Sequence, residues 1–411
     1  MTDPVTGDVL IVGAGQAAAQ IASSLVSGGF TGRLRIIGDE PVAPYQRPPL
    51  SKDYLKGKLP LERLWFRAAE WYAEHGIELI TGDHVVALDR EDKKVTTVAG
   101  HTYQYDVAVL ATGARARPLD VPGADLPGVH QIRTLADVAE LALTLETTRR
   151  LVVAGAGFIG LEMAAVARGL GIEVVVLEAA SRCLSRAISP QTAAALTELH
   201  EANGVELRFG TKIIGLSGTD RVTGVRQDDD GEPACDAVVV GIGALPNDEL
   251  ARNAGLECDG GIVVDTDGRT ADPSVFAAGD CTNRPLDTSR GRGRLESVHN
   301  AVEQGKLVTA VILGQCRPRQ DVPWFWSDQY EAKLQIVGVL DDPDESVTRH
   351  DPATGEYAAF HLKKGVLQAV EAVNSPRSFM AGKRLIATGA VLDAAQLADP
   401  GFDLKQLLRA G

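Results

Sequence analysis

Residues 8–18 read Asp8-Val-Leu-Ile-Val-Gly13-Ala-Gly15-Gln-Ala-Ala18, and this stretch decides the fold. A β-branched apolar run meets a glycine-rich turn, and the small residues that follow favour a helix. In this pattern the first glycine allows a tight turn and the second lets a pyrophosphate approach the backbone, while the third position, here Ala18, lets helix and strand pack closely. The stretch therefore predicts the strand, turn and helix that open a dinucleotide-binding domain.

The same pattern occurs a second time, with all three glycines present, at Leu151-Val-Val-Ala-Gly155-Ala-Gly157-Phe-Ile159-Gly160. Each copy continues with a predicted helix, to Val26 in the first and to about Leu170 in the second, and then with a strand, 34–39 or 173–178. One glycine-rich turn alone is weak evidence for a nucleotide site, because such turns also occur as ordinary connections between a strand and the next element. Two turns that each follow a strand and open a helix predict two sites for phosphate groups at helix N-termini.

An acidic residue ends the second strand of each copy, which is where a nucleotide ribose is recognised. Asp39 lies 26 residues after the first glycine of its turn, and Glu178 lies 23 residues after its own. Such a carboxylate accepts hydrogen bonds from ribose hydroxyls and repels the 2′-phosphate of NADP, so Glu178 predicts a preference for NADH. Two alternatives stay open: Glu40 competes with Asp39 for the ribose, and Arg182 is either a phosphate ligand or, as we favour, an ordinary surface residue.

The simplest interpretation of two nucleotide sites in one chain is that they bind a flavin and a nicotinamide that react with each other, because the sequence contains neither a metal-ligand cluster nor a nucleophile motif. The segment Val275-Phe-Ala-Ala-Gly279-Asp280 returns late in the chain as a buried strand that ends in Gly-Asp. It is expected to complete the first nucleotide domain, with Asp280 at the ribityl chain of FAD. Hydride transfer between NADH and FAD is the predicted chemistry.

The alternation of short apolar runs with helical patterns predicts an α/β fold of two Rossmann-type nucleotide-binding domains and a small C-terminal α+β domain. The runs 107–111, 237–243 and 275–278 are typical of buried parallel strands, and 135–145 and 190–203 of helices. We place a discontinuous FAD-binding domain at residues 1–112 and 244–322, the NADH-binding domain at 113–243, and the C-terminal domain at 323–411.

Composition excludes several classes of protein. The chain of 411 residues has 41 basic and 55 acidic residues and a net charge of −14, which argues against binding to nucleic acid or anionic lipid. No apolar stretch approaches the roughly 18 residues of a membrane-spanning helix. The first basic residue is Arg33, so no signal peptide is indicated and a cytoplasmic location is expected. The 5 cysteines form no Cys-x-x-Cys pair, which argues against a dithiol redox centre.

Nearly the whole chain resembles the FAD/NADH-dependent ferredoxin reductases of bacterial oxygenase systems, the group of putidaredoxin, rubredoxin and biphenyl-dioxygenase ferredoxin reductases, with their glutathione-reductase-like fold. The resemblance rests on the two glycine turns and on further motifs, which are Pro44-Tyr-Gln-Arg47-Pro-Pro-Leu-Ser-Lys52, Ala111-Thr112-Gly113, Gly155 to Glu162, Ala277-Ala-Gly-Asp280, Glu296-Ser297 with Gln304-Gly305, and Trp324-Phe-Trp326-Ser-Asp328-Gln329. Tyr45-Gln46-Arg47 stands where the related disulfide reductases carry a catalytic cysteine, so their chemistry is excluded.

The resemblance implies a role for individual residues. Lys52 would lie beside the reactive edge of the flavin and pair with Glu162, and Trp326 would lie near the flavin ring. A buried lysine needs a carboxylate partner to keep its charge, which makes this pair physically sensible. The remaining FAD candidates are Gly13, Gly15, Ala18, Asp39, Glu40, Arg47, Ala111, Thr112, Gly113, Asp280, Ser297 and Val298. The NADH candidates are Gly155, Gly157, Ile159, Gly160 and Glu178.

The implied activity is electron transfer from NADH through FAD to a two-iron two-sulfur ferredoxin that feeds a terminal oxygenase. Two other readings stay open at this point: an NADH oxidase or quinone reductase, and a redox-gated interaction protein of the apoptosis-inducing-factor kind. Four arginines between the Gly-Asp motif and residue 297 are a candidate docking loop for an acidic ferredoxin, although a solvated basic loop fits the sequence equally well: Arg284, Arg290, Arg292 and Arg294.

Overall fold

The computed structural model describes residues 7–408, which form two compact units. The first unit holds residues 7–46, together with Leu61–Arg115 and Leu245–Asp321. The second holds Arg47–Pro60, Ala116–Ala244 and residues 322–408. The predicted three-domain boundaries at residues 112, 243 and 322 stay predictions.

Helices and strands alternate through most of the described chain. The helices are α1 (Gln16–Ser27), α2 (Ala69–Glu74), α3 (Leu135–Leu145), α4 (Phe158–Gly169), α5 (Pro190–Ala202), α6 (Glu249–Asn253), α7 (Val298–Ile312), α8 (Pro376–Thr388) and α9 (Ala394–Ala398), with short 3-10 helices at Pro48–Ser51, Leu61–Arg63 and Leu404–Gln406. The strands are β1 (Val9–Val12), β2 (Leu34–Gly38), β3 (Ile77–Thr81), β4 (Val85–Asp89), β5 (Lys94–Thr97), β6 (Thr102–Gln104), β7 (Val107–Leu110), β8 (Ala114–Ala116), β9 (Val129–His130), β10 (Arg150–Ala154), β11 (Glu173–Glu178), β12 (Val205–Phe209), β13 (Ile213–Gly218), β14 (Val222–Gln227), β15 (Ala237–Val240), β16 (Ala244–Pro246), β17 (Ile262–Val263), β18 (Val275–Ala277), β19 (Thr282–Pro285), β20 (Arg292–Gly293), β21 (Trp324–Gln329), β22 (Ala332–Gly338), β23 (Glu345–Asp351), β24 (Glu356–Lys363) and β25 (Val366–Val373).

The first unit is built on a five-stranded parallel sheet in the order β18-β7-β1-β2-β3. Strand β1 is buried along its whole length, as expected for a strand covered on both faces. Helices α1 and α7 contribute Ile21, Leu25 and Val308 to the core on one face. Strand β18, more than 160 residues away in sequence, pairs with β7, so the Gly279-Asp280 turn lies at the same sheet edge as the turn after β1.

The second unit contains another five-stranded parallel sheet, in the order β12-β11-β10-β15-β9, and an antiparallel sheet in the order β21-β22-β25-β24-β23. In the antiparallel sheet, Val337, Phe360 and Val370 are fully buried and pack with Phe379 and Leu385 of α8. Helix α8 ends at Thr388, because the next residue, Gly389, has a left-handed backbone conformation. The predicted α/β class is confirmed, and no helix among residues 7–408 combines the length and apolarity needed to cross a bilayer.

Candidate active site

The first glycine turn (Gly13–Gly15) is shaped to receive a ligand. Gly13 has a φ of +109° and donates its amide to Ile37 O at 2.7 Å. A Cβ there would lie 2.2 Å from Ala111 O, so only glycine fits. By contrast, a Cβ on Gly15, the N-cap of α1, would meet nothing within 4 Å. Here the backbone at the helix N-terminus faces open space, which fits the approach of a pyrophosphate.

The structure brings the Ala111–Gly113 and Gly279-Asp280 candidates to the same end of the first sheet. Ala111 donates its amide to Val12 O at 2.8 Å, immediately before the first glycine turn. A Cβ on Gly279 would lie 3.3 Å from Ala17 Cβ, so the backbone just before Asp280 lies close to α1. The buried amide of Gln304 accepts from Gly279 N at 2.8 Å and holds this turn against α7. These segments fit a cradle for one dinucleotide, FAD by prediction.

The two acids after β2 differ in their surroundings. Asp39 is exposed, whereas the half-buried Glu40 accepts a hydrogen bond from Tyr45 Oη at 2.6 Å. At the other side of the cradle, Ser297 caps α7 and accepts from the amide of Asn300 at 3.0 Å, which leaves Val298 as the first helical residue. The roles of these residues toward FAD stay predictions.

The second glycine turn (Gly155–Gly157) repeats the architecture in the second unit. Gly155 has a φ of +98°, and a Cβ on it would lie 2.6 Å from Gly241 O. On Gly160 a Cβ would lie 2.0 Å from Gly155 O, so the third glycine is what allows α4 to pack against the turn. Ile159 is 38% exposed in the first turn of α4, unusual for an isoleucine and suited to contact with a bound nucleotide.

Glu178 is held at the end of β11 by backbone amides. Its Oε2 accepts from Ala156 N at 2.7 Å and its Oε1 from Ala180 N at 2.8 Å. This places a fixed negative charge beside the second glycine turn. Arg182, the residue that would neutralise it or bind a 2′-phosphate, donates instead to the carbonyls of Ile188 and Ser185, both at 2.9 Å. The arrangement fits NADH.

Lys52 and Glu162 form a buried ion pair in the second unit. Lys52 Nζ lies 3.2 Å from Glu162 Oε1 and 3.2 Å from Asp328 Oδ2. The other oxygen of Glu162 accepts from Ser51 Oγ at 2.5 Å, and Oε1 also accepts from Ser327 Oγ at 2.7 Å. The side chain of Glu162 is 5% exposed and that of Lys52 15%. The two residues that the family resemblance pairs are therefore in contact, while their role at the flavin stays a prediction.

The protonation of Glu162 depends on these contacts. Burial raises the pKa of Glu162, whereas the charge of Lys52 and the hydroxyl donors of Ser327 and Ser51 lower it. A carboxylate that loses any of these partners binds a proton more readily. The charge of Lys52 is thus one of three contacts that favour the ionised form of Glu162.

Trp326 lies beside this ion pair, and Arg47 lies five residues before Lys52 in the chain. Lys52 Nζ lies 5.6 Å from the centroid of the Trp326 ring, within the range of a cation–π contact. The ring of Trp324 packs against Trp326 at 5.5 Å between centroids. Arg47 donates to Arg133 O at 2.5 Å and precedes the 3-10 helix that carries Ser51. Their assignment to the flavin stays a prediction.

Three arginines of the candidate docking loop are used within the fold. Arg284 donates to Asn300 Oδ1 at 2.9 Å, and burial lowers its pKa. Arg292 donates to the carbonyls of Val264 and Asn283, and Arg294 to Gly260 O and Glu296 Oε1. Arg290 is exposed. Arg292 and Arg294 therefore hold neighbouring backbone in place, and Arg284 is tied to the side chain of Asn300.

The profile of the family described as pyridine nucleotide-disulphide oxidoreductase matches residues 7–305. The chain belongs to this family. A second profile, described as reductase C-terminal, matches residues 324–408.

Relatives match over the full length of the chain. Rhodocoxin reductase of Rhodococcus erythropolis is 44% identical over 97% of this chain and 93% of its own. Putidaredoxin reductase of Pseudomonas putida is 37% identical over 98% of this chain and 97% of its own. The crystal structure of a covalent putidaredoxin reductase–putidaredoxin complex matches with a TM-score of 0.95 and 37% identity over 98% of both chains.

These findings confirm the predicted resemblance, the glutathione-reductase-like fold class and the assignment as a flavoprotein oxidoreductase. They also confirm FAD and NADH as the cofactors at the level of the family. All five cysteines are unpaired thiols, and Cys281 beside Asp280 is fully buried, where desolvation raises its pKa. A thiol in that state is a poor nucleophile.

Asp328, Ser51 and Ser327 contact the Lys52–Glu162 pair, and the sequence did not single them out as catalytic. Ser327 and Asp328 belong to the Trp324–Gln329 segment, in which polar residues interrupt an aromatic run. Ser327 is fully buried, and a buried hydroxyl needs a hydrogen-bond partner, which was the available signal.

Proposed function

We propose that this protein is an NADH:ferredoxin reductase that passes electrons from NADH through FAD to a two-iron two-sulfur ferredoxin, which in turn supplies a terminal oxygenase. The observation that carries the proposal is the match over 98% of both chains to putidaredoxin reductase in covalent complex with putidaredoxin. Other full-length relatives are ferredoxin reductase components of chlorobenzene and benzene dioxygenase systems.

The residues described above support separate tasks in this reaction. FAD, when bound, supplies the conversion of a two-electron donor into single electrons. The first glycine turn, with its open backbone at Gly15, would hold the FAD pyrophosphate, and the second would hold that of NADH. Glu178 would select NADH by its charge, and Lys52 would provide a positive charge kept in place by Glu162 and Asp328. The protein thus contributes placement and electrostatics.

A cytoplasmic location is part of the proposal. The half-buried Cys258 and the exposed Cys316 are both free thiols, which persist in a reducing compartment.

Steady-state turnover with defined acceptors tests the function. NADH-dependent reduction of cytochrome c is measured alone, with a purified two-iron ferredoxin and with a four-iron ferredoxin of similar charge. We expect the two-iron protein to accelerate turnover at least tenfold and the four-iron protein to have little effect. If oxygen or a benzoquinone alone supports the full rate and neither ferredoxin increases it, the protein is an oxidase or quinone reductase and the proposal is wrong.

A further inference from the structure

A line of hydrogen-bonded side chains leads through the second unit to Glu162. Tyr330 Oη lies 3.3 Å from His200 Nδ1, and His200 Nε2 lies 2.9 Å from Gln329 Oε1. Gln329 Nε2 donates to Ser327 Oγ at 3.2 Å, and Ser327 Oγ donates to Glu162 Oε1 at 2.7 Å. His200 and Ser327 are completely buried, and Gln329 is buried as well. Four hydrogen bonds thus connect helix α5 and strand β21 to the carboxylate on α4.

The chemistry of the groups fixes the direction of every bond in this line. An ionised Glu162 only accepts, so the single hydroxyl hydrogen of Ser327 points to it. Ser327 then accepts from the amide nitrogen of Gln329, which turns the amide oxygen toward His200. His200 must therefore carry its proton on Nε2, and its bare Nδ1 accepts from the hydroxyl of Tyr330. All four donors point toward the carboxylate.

The protonation states needed for this direction agree with the surroundings. Burial lowers the pKa of His200, against the opposing effect of Gln329, and favours the neutral ring. Burial also raises the pKa of Tyr330 to about 12, so its hydroxyl keeps its proton. The charged and titratable groups that face the line are Lys52 and Asp328 at Glu162 and Arg168 near Tyr330.

Glu162 does not have the charge of Lys52 to itself, because Lys52 also pairs with Asp328. Its ammonium lies 3.2 Å from a carboxylate oxygen of Glu162 and equally far from one of Asp328. Hydrogen bonds aligned in one direction polarise one another in a medium of low dielectric constant, so the distant donors strengthen the bond from Ser327. The line of hydrogen bonds therefore stabilises the negative charge of Glu162 beyond what the shared Lys52 provides.

We propose that His200, Gln329 and Ser327 form a positioning relay that keeps Glu162 in its charged form as the partner of Lys52. His200 acts as a fixed neutral donor and neither takes up nor releases a proton. The relay lies within one unit of the protein and acts whichever protein accepts the electrons, so its test is independent of the proposed ferredoxin.

Infrared difference spectroscopy of the FAD-loaded full-length protein tests the relay. The carboxyl C=O band of protonated Glu162, assigned by its loss in Glu162→Gln, is followed against pH. We expect Gln329→Leu and His200→Phe to move its appearance to higher pH, with the protonated-to-ionised ratio at a fixed pH rising on the order of tenfold, as for loss of a hydrogen bond to a charged group. Tyr330→Phe, which removes only the outermost donor, should act in the same direction and less.

A conservative variant and a matched control separate this role from a structural one. His200→Gln keeps an N–H donor toward Gln329 and should restore most of the wild-type titration. Tyr357→Phe removes a hydroxyl 3.4 Å from Thr192 Oγ1, outside the relay, and should leave the band unchanged. The proposal is overturned if Gln329→Leu and Tyr330→Phe titrate like the wild type, whether or not their melting temperatures fall. It is also overturned if only Ser327→Ala shifts the band, or if His200→Gln behaves like His200→Phe.

Discussion

Glu178 accepts a hydrogen bond from the amide of Ala156, the middle residue of the second glycine turn, at 2.7 Å. Its other carboxylate oxygen is held by Ala180 N at 2.8 Å. The carboxylate that would meet a nucleotide ribose is therefore oriented before any ligand binds. A group fixed in this way cannot swing aside to admit a 2′-phosphate, and Arg182 is occupied by two backbone carbonyls.

Nucleotide preference follows from this fixed charge. We expect kcat/KM for NADH to exceed that for NADPH by roughly 100-fold, which corresponds to about 2.7 kcal/mol. Glu178→Gln keeps one carbonyl acceptor and loses the charge, so the preference should shrink at least fivefold. Steady-state kinetics with both nucleotides measure it. Equal kcat/KM values for NADH and NADPH in the wild type would contradict the assignment of Glu178.

The open backbone at Gly15 gives a prediction that separates cofactor binding from folding. A methyl group in Gly15→Ala meets no protein atom within 4 Å, so the FAD-free protein should melt near the wild-type temperature. The same methyl group occupies the space that a pyrophosphate needs, and FAD affinity should fall on the order of 100-fold. Fluorescence titration with FAD measures the affinity. Gly13→Ala is the contrast, because its methyl group meets Ala111 O and should lower the melting temperature of the FAD-free protein itself.

Two glycines of helix α4 provide a matched pair for the second site. In Gly160→Ala the new methyl group would lie 2.0 Å from Gly155 O, so we expect a loss of about 1–3 kcal/mol in the free energy of unfolding and weaker NADH binding. In Gly169→Ala the methyl group meets nothing within 4 Å on the exposed last turn, and a gain of about 0.5–1 kcal/mol is expected. Urea unfolding and NADH titration check both. A Gly160→Ala protein as stable as Gly169→Ala would show that helix and turn do not pack closely.

Much of the fold could be predicted from the sequence because local pattern and tertiary role agree in the nucleotide-binding elements. The helix predicted over 135–145 and the strand predicted over 173–178 have the predicted bounds in the structure. Both glycine turns lie between strand and helix as expected. Here the required backbone conformations admit few residue types, so the sequence carries a strong signal.

The residues that connect His200 to Glu162 could not be predicted in the same way, because they are brought together only by the tertiary fold. His200 and Gln329 are separated by 129 residues, and no spacing rule links them. A weaker signal existed: Ser327 and Gln329 are two residues apart in a strand and so face the same side, and two polar groups on a buried side need partners. Glu371, which is buried and accepts from Ser189 Oγ at 2.6 Å, is a second long-range contact of this kind.

The pH dependence of stability has a definite sign at Glu162. Because burial raises the pKa of this carboxyl in the folded state, the native protein binds more protons than the unfolded chain above the ordinary range of a glutamate. Stability contributed by the site is therefore present at low pH and decreases as the pH rises through the folded-state pKa. Lys52 opposes this decrease, since its charge favours the ionised carboxylate.

Removal of Lys52 should thus destabilise the protein most at neutral and alkaline pH. We expect Lys52→Ala to lower the free energy of unfolding by about 3–5 kcal/mol near pH 7, because an unpaired carboxylate is left buried, and by less near pH 5, where Glu162 can take up a proton. Lys52→Ala combined with Glu162→Gln should recover most of the loss and remove its pH dependence. Lys94→Ala, which removes a partly exposed lysine beside Asp89 and Asp92, is the control and should show neither effect. Urea unfolding between pH 5 and 9 measures all three proteins. A loss in Lys52→Ala that is equal at every pH would mean that Glu162 does not depend on Lys52 for its charge.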